Sequence, residues 1–257
     1  MKLVRFKFHN SPKFGKTNLN NFGLSKTLLA YFCFLFNIIF TSEKIFGKGM
    51  KKRIVIFASG SGTNAENIIN YFQRTTFAEV ILVLSNRKEA KVLERAKSLN
   101  VNAIFFTKEE LFSEEGVLKI LKKTKPDLIV LAGFLLKFPE IILKEFPDKV
   151  INVHPALLPK YGGKGMYGNF VHEAILKNKE LETGITIHYV NENYDEGAII
   201  LQKKISLSEI DSAETIAEKV HKLEYEWFPK VIEEVLREKT STPNPSFKGG
   251  EYLDYGE

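Results

Sequence analysis

From Arg53 onward the chain repeats one pattern. Short unbroken apolar runs alternate with stretches whose apolar residues recur every three or four positions. RIVIFAS (53–59) and EVILVLS (79–85) are β-branched apolar runs, as in strands buried on both faces. AIFF (103–106), DLIVLAG (127–133) and KVINVH (149–154) continue the series. Helical spacing fills the intervals, over about 64–74, 88–99, 109–123 and 139–145. In the third of these, Leu111, Leu118 and Leu121 share one face. Beyond 154 come a helix (168–177), the strands GITIHYV (184–190) and AIILQKKI (198–205), and a long helix (212–238). Such alternation predicts βαβ units, a mostly parallel sheet and right-handed crossovers. A site in such a fold lies outside the carboxyl ends of the strands.

Residues 1–49 do not share the pattern. They are rich in Lys, Asn, Phe, Ile and Leu and hold one apolar run, Leu28 to Phe40, 13 residues long. Spanning a bilayer takes roughly 20. A basic stretch before that run resembles a signal peptide, but no small-x-small cleavage site follows it. Met50 precedes Lys-Lys-Arg and the first strand. The segment is therefore expected to be a non-domain extension, from a start codon placed ahead of the natural one or from a targeting or anchoring sequence. Residues 239–257, punctuated by Pro, Gly and Ser, are expected to form a mobile tail. That leaves a single domain over 50–238.

Composition narrows the function classes. At 257 residues, 44% hydrophobic and 26% charged, the chain is neither disordered nor collagen-like nor a multi-pass membrane protein. Its single cysteine, Cys33, excludes an internal disulfide framework and a multi-Cys zinc site. The net charge of +6 is misleading. Residues 1–49 carry eight basic residues and one acid, hence +7, and the remainder sums to −1. The body has no basic excess with which to bind nucleic acid.

Two segments carry chemistry. Ser59-Gly60-Ser61-Gly62-Thr63-Asn64-Ala65 joins a buried strand to a helix start. Glycines let a ligand approach the backbone, and free amides at a helix N-terminus favour an anion such as phosphate. A tight turn capped by Asn64 is the plainer alternative. Gly60-x-Gly62-x-x-Ala65 also fits a dinucleotide turn, yet Ser85-Asn86-Arg87 ends the second strand without the acid that holds an NAD ribose. An NADP-binding module using Arg87 stays open. The second segment is Ile151-Asn152-Val153-His154-Pro155. Asn152 and His154, two apart in a strand, share a face, and Pro155 ends the strand.

With these residues in view, the chain resembles the folate-dependent formyltransferases, and most closely the branch acting on glycinamide ribonucleotide in purine synthesis. KRIVIFASGSGTN (52–64), DLIVLAGFLLKFP (127–139), VINVHPALLPKYGG (150–163) and GITIHYVNENYDEGAII (184–200) carry the likeness. The resemblance implies an α/β, Rossmann-like single catalytic domain in the cytoplasm. It implies 10-formyltetrahydrofolate as co-substrate, no metal, and the amine of glycinamide ribonucleotide as acceptor. No nucleic acid or membrane partner is implied for the catalytic domain, which would be a monomer or homodimer.

Residue by residue, the resemblance makes Asn152, His154 and Asp195 catalytic. It assigns the substrate phosphate to Gly62, Thr63 and Asn64, and another substrate contact to Glu224. Folate contacts fall on Lys108, Leu135, Leu136, Lys137, Phe138 and Asn152. His188 becomes a histidine at the edge of the site. Within this scheme Asn152 and an imidazolium His154 stabilise an oxyanion, while Asp195 raises the histidine pKa and relays protons. At Leu136 the family usually has Arg. The run GGKGMYGNFVHEAI (162–175) is longer than its usual counterpart, and His172 within it reads either as a stand-in for the family's usual histidine or, the preferred reading, as a surface helix residue. Rival readings are a formyltetrahydrofolate deformylase, another folate-dependent formyltransferase, and a scaffold anchored through Leu28–Phe40.

Overall fold

The apolar runs pair into one seven-stranded sheet in a computed structural model that describes residues 51–241. The strands are β1 (Lys52–Phe57), β2 (Ala78–Ser85), β3 (Asn102–Phe105), β4 (Leu128–Leu131), β5 (Val150–His154), β6 (Glu182–Tyr189) and β7 (Ile199–Ser206). Their order is β3-β2-β1-β4-β5-β6-β7. β1 to β5 are parallel, and β6 and β7 run antiparallel. The segment linking β6 to β7 holds no helix, so it forms a hairpin rather than a crossover. The expected 1–49 extension, and all of the expected tail beyond 241, lie outside the described residues.

Alternation along the central strands builds a core on each face of the sheet. Ile54, Ile56, Val83, Leu128 and Val130 point to one face, under α1 (Thr63–Gln73), α2 (Lys91–Ser98), α6 (Asn169–Lys177) and α7 (Ala213–Ser241). Val55, Phe57, Leu84, Ile129 and Leu131 point to the other face. There they meet Leu111, Val117, Leu121 and Ile142. Each fully buried Ile or Phe contributes roughly 2 kcal/mol relative to exposure.

The helix expected over 109–123 is broken. α3 (Lys108–Phe112) starts on a capping box between Thr107 and Glu110 and stops at Ser113. A π-helical turn, Glu114–Leu118, leads into α4 (Lys119–Thr124). Gly116 sits at the break with non-helical φ −93° and ψ −120°. A Cβ there would stand 2.1 Å from the Glu110 carbonyl oxygen, so only glycine allows the approach. Leu111, Leu118 and Leu121 are nevertheless all buried.

α5 (Glu140–Glu145) follows β4 as expected. α7 runs three residues beyond its expected end at 238 and contains Pro229. Proline lacks the N–H that would bond four residues back. Asn67 Nδ2, on α1, donates to the Tyr225 carbonyl instead, at 2.8 Å. The helix thus continues through its proline with that acceptor satisfied.

Strand order reverses between β1 and β4, because β1 pairs with β2 on one side and β4 on the other. The carboxyl ends of these strands open the crevice in which such sheets hold ligands.

Candidate active site

Ser59 knits that crevice together. Its backbone N–H donates to the Gly133 carbonyl at 3.0 Å. Its hydroxyl donates to Asn86 Oδ1 at 2.6 Å and accepts the Leu135 N–H at 3.0 Å. One side chain therefore ties the ends of β1 and β2 to the loop after β4. Neither Ser59 nor Asn86 stands out in the sequence, since serine and asparagine are ordinary loop residues.

Gly62 is the N-cap of α1, with φ +76°. A Cβ there would lie 2.4 Å from Val92 Cβ on α2. Arg95, one turn further along α2, donates from Nε to the Ser61 carbonyl at 2.9 Å and pairs with Glu66. The first bond inside α1 runs from the Glu66 N–H to the Gly62 carbonyl. The N–H groups of Thr63, Asn64 and Ala65 precede it, and α1 has no side-chain cap. Asn64 therefore does not cap the helix. Its Nδ2 donates to Glu224 Oε2 on α7 at 2.8 Å. His221, one turn before Glu224, places Nδ1 2.8 Å from the same oxygen. Glu224 is 4% exposed, and its carboxylate lifts the pKa of His221 above the ordinary value. The i, i+3 spacing of His221 and Glu224 is the signal that would have added His221 to the candidates.

Asn152, His154, His188 and Asp195 meet beyond the end of β5. Asn152 and His188 are directly opposed across the β5–β6 pair. His188 Nδ1 lies 2.8 Å from the Tyr189 carbonyl, so it carries the proton. Its Nε2 then accepts from Asn152 Nδ2 at 3.2 Å. This holds the Asn152 amide with its second N–H free to point elsewhere. His154 Nε2 donates to the Tyr161 carbonyl at 2.7 Å. Asp195 lies between the two rings, with Oδ2 3.5 Å from His154 Nδ1 and Oδ1 3.7 Å from His188 Nε2. The Gly163 N–H donates to Oδ2 at 3.0 Å.

Burial opposes charge here. It pushes Asp195 up, but the neighbouring His188 and His154 and the Gly163 N–H together hold the carboxyl below its ordinary value. Opposing influences also meet on His154. Burial pushes its pKa down more than Asp195 and the Tyr161 carbonyl pull it up. The acid raises the histidine, as expected, without restoring its ordinary value.

The remaining expected residues are spread around this centre. Leu135 and Leu136 are half-buried and Lys137 is exposed. Phe138 is buried, with its ring 5.2 Å from that of Phe57. Its side chain is core, and only its backbone faces the loop. Lys108 is exposed at the start of α3. The Phe106–Phe134 ring contact, at 6.2 Å, brings that end of β3 against the β4 loop. His172 is not on the surface. It is 2% exposed, because α6 turns Val171, His172 and Ile175 inward together.

The sequence profile of the formyl transferase family matches residues 52–232. The chain belongs to the formyl transferase family. It is 34% identical over 190 residues to phosphoribosylglycinamide formyltransferase of Bacillus subtilis, covering 72% of this chain and 95% of that one. The Haemophilus influenzae protein of the same name is also 34% identical, over 70% of this chain and 85% of its own. A solved formyltransferase of that name, from Anaplasma phagocytophilum, superposes with a TM-score of 0.67. It is 30% identical and shares 74% of this chain and 89% of its own. Formyl transfer is the reaction class, and formyl transferases of this family use formyl-tetrahydrofolate as co-substrate. Among the described residues, no helix is long and apolar enough to cross a membrane.

Proposed function

We propose that the protein transfers the formyl group of 10-formyltetrahydrofolate to the amine of glycinamide ribonucleotide. The convergence of Asn152, His154 and Asp195 at the end of β5 is the observation that carries this reading.

The chemistry follows from the groups present. The substrate amine attacks the formyl carbon, and negative charge develops on the formyl oxygen. The free N–H of Asn152 is a neutral donor pre-aimed by His188, as an oxyanion site requires. His154, flanked by the Tyr161 carbonyl and Asp195, supplies the second polar group. The attacking nitrogen must lose a proton, and the leaving N10 nitrogen must gain one. Asp195, ionised and shared by two histidines, is placed to hold that proton between the two events. Carbon–nitrogen bond formation and cleavage then balance with no net proton change.

The ends of the two substrates find matching surfaces. Three N–H groups at the start of α1 favour a phosphate. The side chain of Asn64 does not join them, because its amide is engaged by Glu224. Phosphate recognition at Gly62, Thr63 and Asn64 is thus a backbone matter. The folate ring is assigned to the loop 134–138, through the backbone and the half-buried Leu135 and Leu136, with Lys137 and Lys108 at its rim.

The test is formyl transfer by the purified chain, given 10-formyltetrahydrofolate with and without glycinamide ribonucleotide. Formylation that requires the amine is the expected result. Formate release without the amine would make the protein a deformylase. No turnover by a folded sample would remove the reading.

A further inference from the structure

Two histidines at the reacting centre take their tautomer from a backbone carbonyl, and the two carbonyls are held in different ways. His188 uses the carbonyl of its neighbour Tyr189, at the end of a regular strand. His154 uses that of Tyr161, seven residues on and outside any strand or helix. A carbonyl accepts but cannot donate, so His154 Nε2 carries the ring proton. Nδ1 is the nitrogen left to face Asp195.

Backbone preference does not keep Tyr161 in that place. Its φ is +57°, an outlier for a bulky side chain. Such a conformation persists only where the surroundings over-determine it. Here the side chain supplies the constraint. The phenol donates to Glu180 Oε1 at 2.9 Å and accepts from Asn178 Nδ2 at 2.9 Å. Both partners follow α6 in the chain, and neither belongs to the residues assigned to a substrate. The approach to Tyr161 is pinned as well. Thr186, opposite His154 in the sheet, donates to the Ala156 carbonyl at 2.7 Å and accepts the Leu158 N–H at 3.0 Å. Gln202 Nε2 donates to the Leu158 carbonyl at 2.9 Å.

Residues 161–163 touch both members of the central pair. The Tyr161 carbonyl meets His154, and the Gly163 N–H meets Asp195 Oδ2 at 3.0 Å. Between them, Gly162 packs so closely that a Cβ would stand 2.6 Å from Leu158 Cδ2 and 3.3 Å from Asp195 Cβ. Displacing this stretch would therefore alter the His154–Asp195 separation. We infer that Tyr161 is a positioning residue: its phenol, anchored on Glu180 and Asn178, fixes the carbonyl that keeps the His154 proton on Nε2 and turns the Nδ1 lone pair toward Asp195. The inference rests on the function proposed above for its kinetic part and adds residues outside the reacting centre that set its geometry.

The experiment uses the full chain with isotope-labelled histidine at about pH 8, where His154, shifted below its ordinary value, is neutral. Nitrogen NMR separates the protonated from the bare ring nitrogen, and the spectrum of His154→Asn identifies the His154 signals. Wild type is expected to show His154 protonated on Nε2 alone. Tyr161→Phe keeps the ring and removes the hydroxyl. It should show a mixture of tautomers and a kcat about tenfold lower, with both KM values within about twofold of wild type. Glu180→Gln keeps an acceptor for the phenol and should match wild type in both readouts, although it ends the ion pair with Lys160. Glu180→Met should resemble Tyr161→Phe. The double variant should be no worse than the poorer single one, since both remove the same anchor. An unmixed Nε2 tautomer in Tyr161→Phe would overturn the inference and leave the phenol as a support for the loop alone. So would additive losses in the double variant, or Glu180→Gln no better than Glu180→Met. If Tyr161→Phe does not fold, Glu180→Met carries the same two readouts. The spectrum needs no turnover. A wild type that transfers no formyl group therefore removes the proposed function, while the tautomers still decide this inference.

Discussion

Asp195 Oδ2 lies 3.5 Å from His154 Nδ1 while accepting the Gly163 N–H, and the Asp195 backbone is in the left-handed region at φ +56°. Both facts decide which substitution tests the acid cleanly. Alanine would remove the charge and also the short polar side chain that lets Asp and Asn occupy that region more readily than other residues. Asparagine tolerates it and keeps the shape. Asp195→Asn is therefore expected to leave the unfolding midpoint within a few degrees of wild type. It should lower kcat by a factor of about 10² or more. Near-wild-type turnover of Asp195→Asn would show that no proton passes through this carboxyl.

Asn152 makes a different contribution. One of its amide hydrogens is spent on His188, which leaves the other for charge that exists only in the transition state. Asn152→Ala should thus lower kcat by roughly two orders of magnitude, about 3 kcal/mol, with little change in either KM. A rise in KM for the folate at constant kcat would mean that Asn152 serves binding and that the oxyanion donor is elsewhere.

The central strands are legible in the sequence because both faces of the sheet are covered. RIVIFAS and EVILVLS have no polar side to hide, and their limits agree with β1 and β2 within two residues. The interruption at Gly116 is not legible. Leu111, Leu118 and Leu121 keep a helical spacing on either side of it, and the close approach of Gly116 to the Glu110 carbonyl leaves no mark in the apolar pattern. Asn152 and His154 are readable as a polar pair at a strand end. Asp195, in an irregular turn far along the chain, is reached only through family likeness. The burial of His172 is hidden by its neighbours, since Val171 and Ile175 already account for the apolar face of α6. Asn64 illustrates the same limit. Its place in a glycine turn suggests a cap, but a carboxylate 160 positions away claims its side chain.

The glycine turn is held by shape as much as by φ. Gly62→Ala would place a Cβ 2.4 Å from Val92 Cβ and 2.6 Å from Val92 Cα. Trimming Val92 to alanine would not relieve it, because the backbone of α2 is part of the clash. The left-handed conformation and the overlap together should cost about 3 kcal/mol, a fall of roughly 6–12 °C in Tm. The substitution also displaces the amides at the start of α1, so KM for the ribonucleotide should rise well before KM for the folate. Thermal melts and the two KM values check both parts. An unchanged Tm would mean that α1 and α2 can separate without loss.

Stability should fall on mild acidification, and two buried histidines should account for it. His154 and His172 are each shifted below the ordinary value of 6.5, with burial the leading cause in both. As pH drops through 6.5 the unfolded chain takes up protons at these positions before the folded one does. The folded state is then penalised, so their contribution is present above 6.5 and is lost as pH falls toward the folded values. His221 runs the other way. The Glu224 carboxylate holds the proton on His221, so the His221 contribution is complete below 6.5 and is lost as pH rises through its raised folded value. Comparing variants separates the opposing slopes. Between pH 7.5 and 5.5, His172→Phe should lose less stability to urea than wild type, and His221→Gln should lose more. Parallel losses in wild type and His172→Phe would mean that His172 takes up its proton as readily in the folded protein as in the unfolded chain, and that its enclosure by α6 and α7 is not maintained in solution.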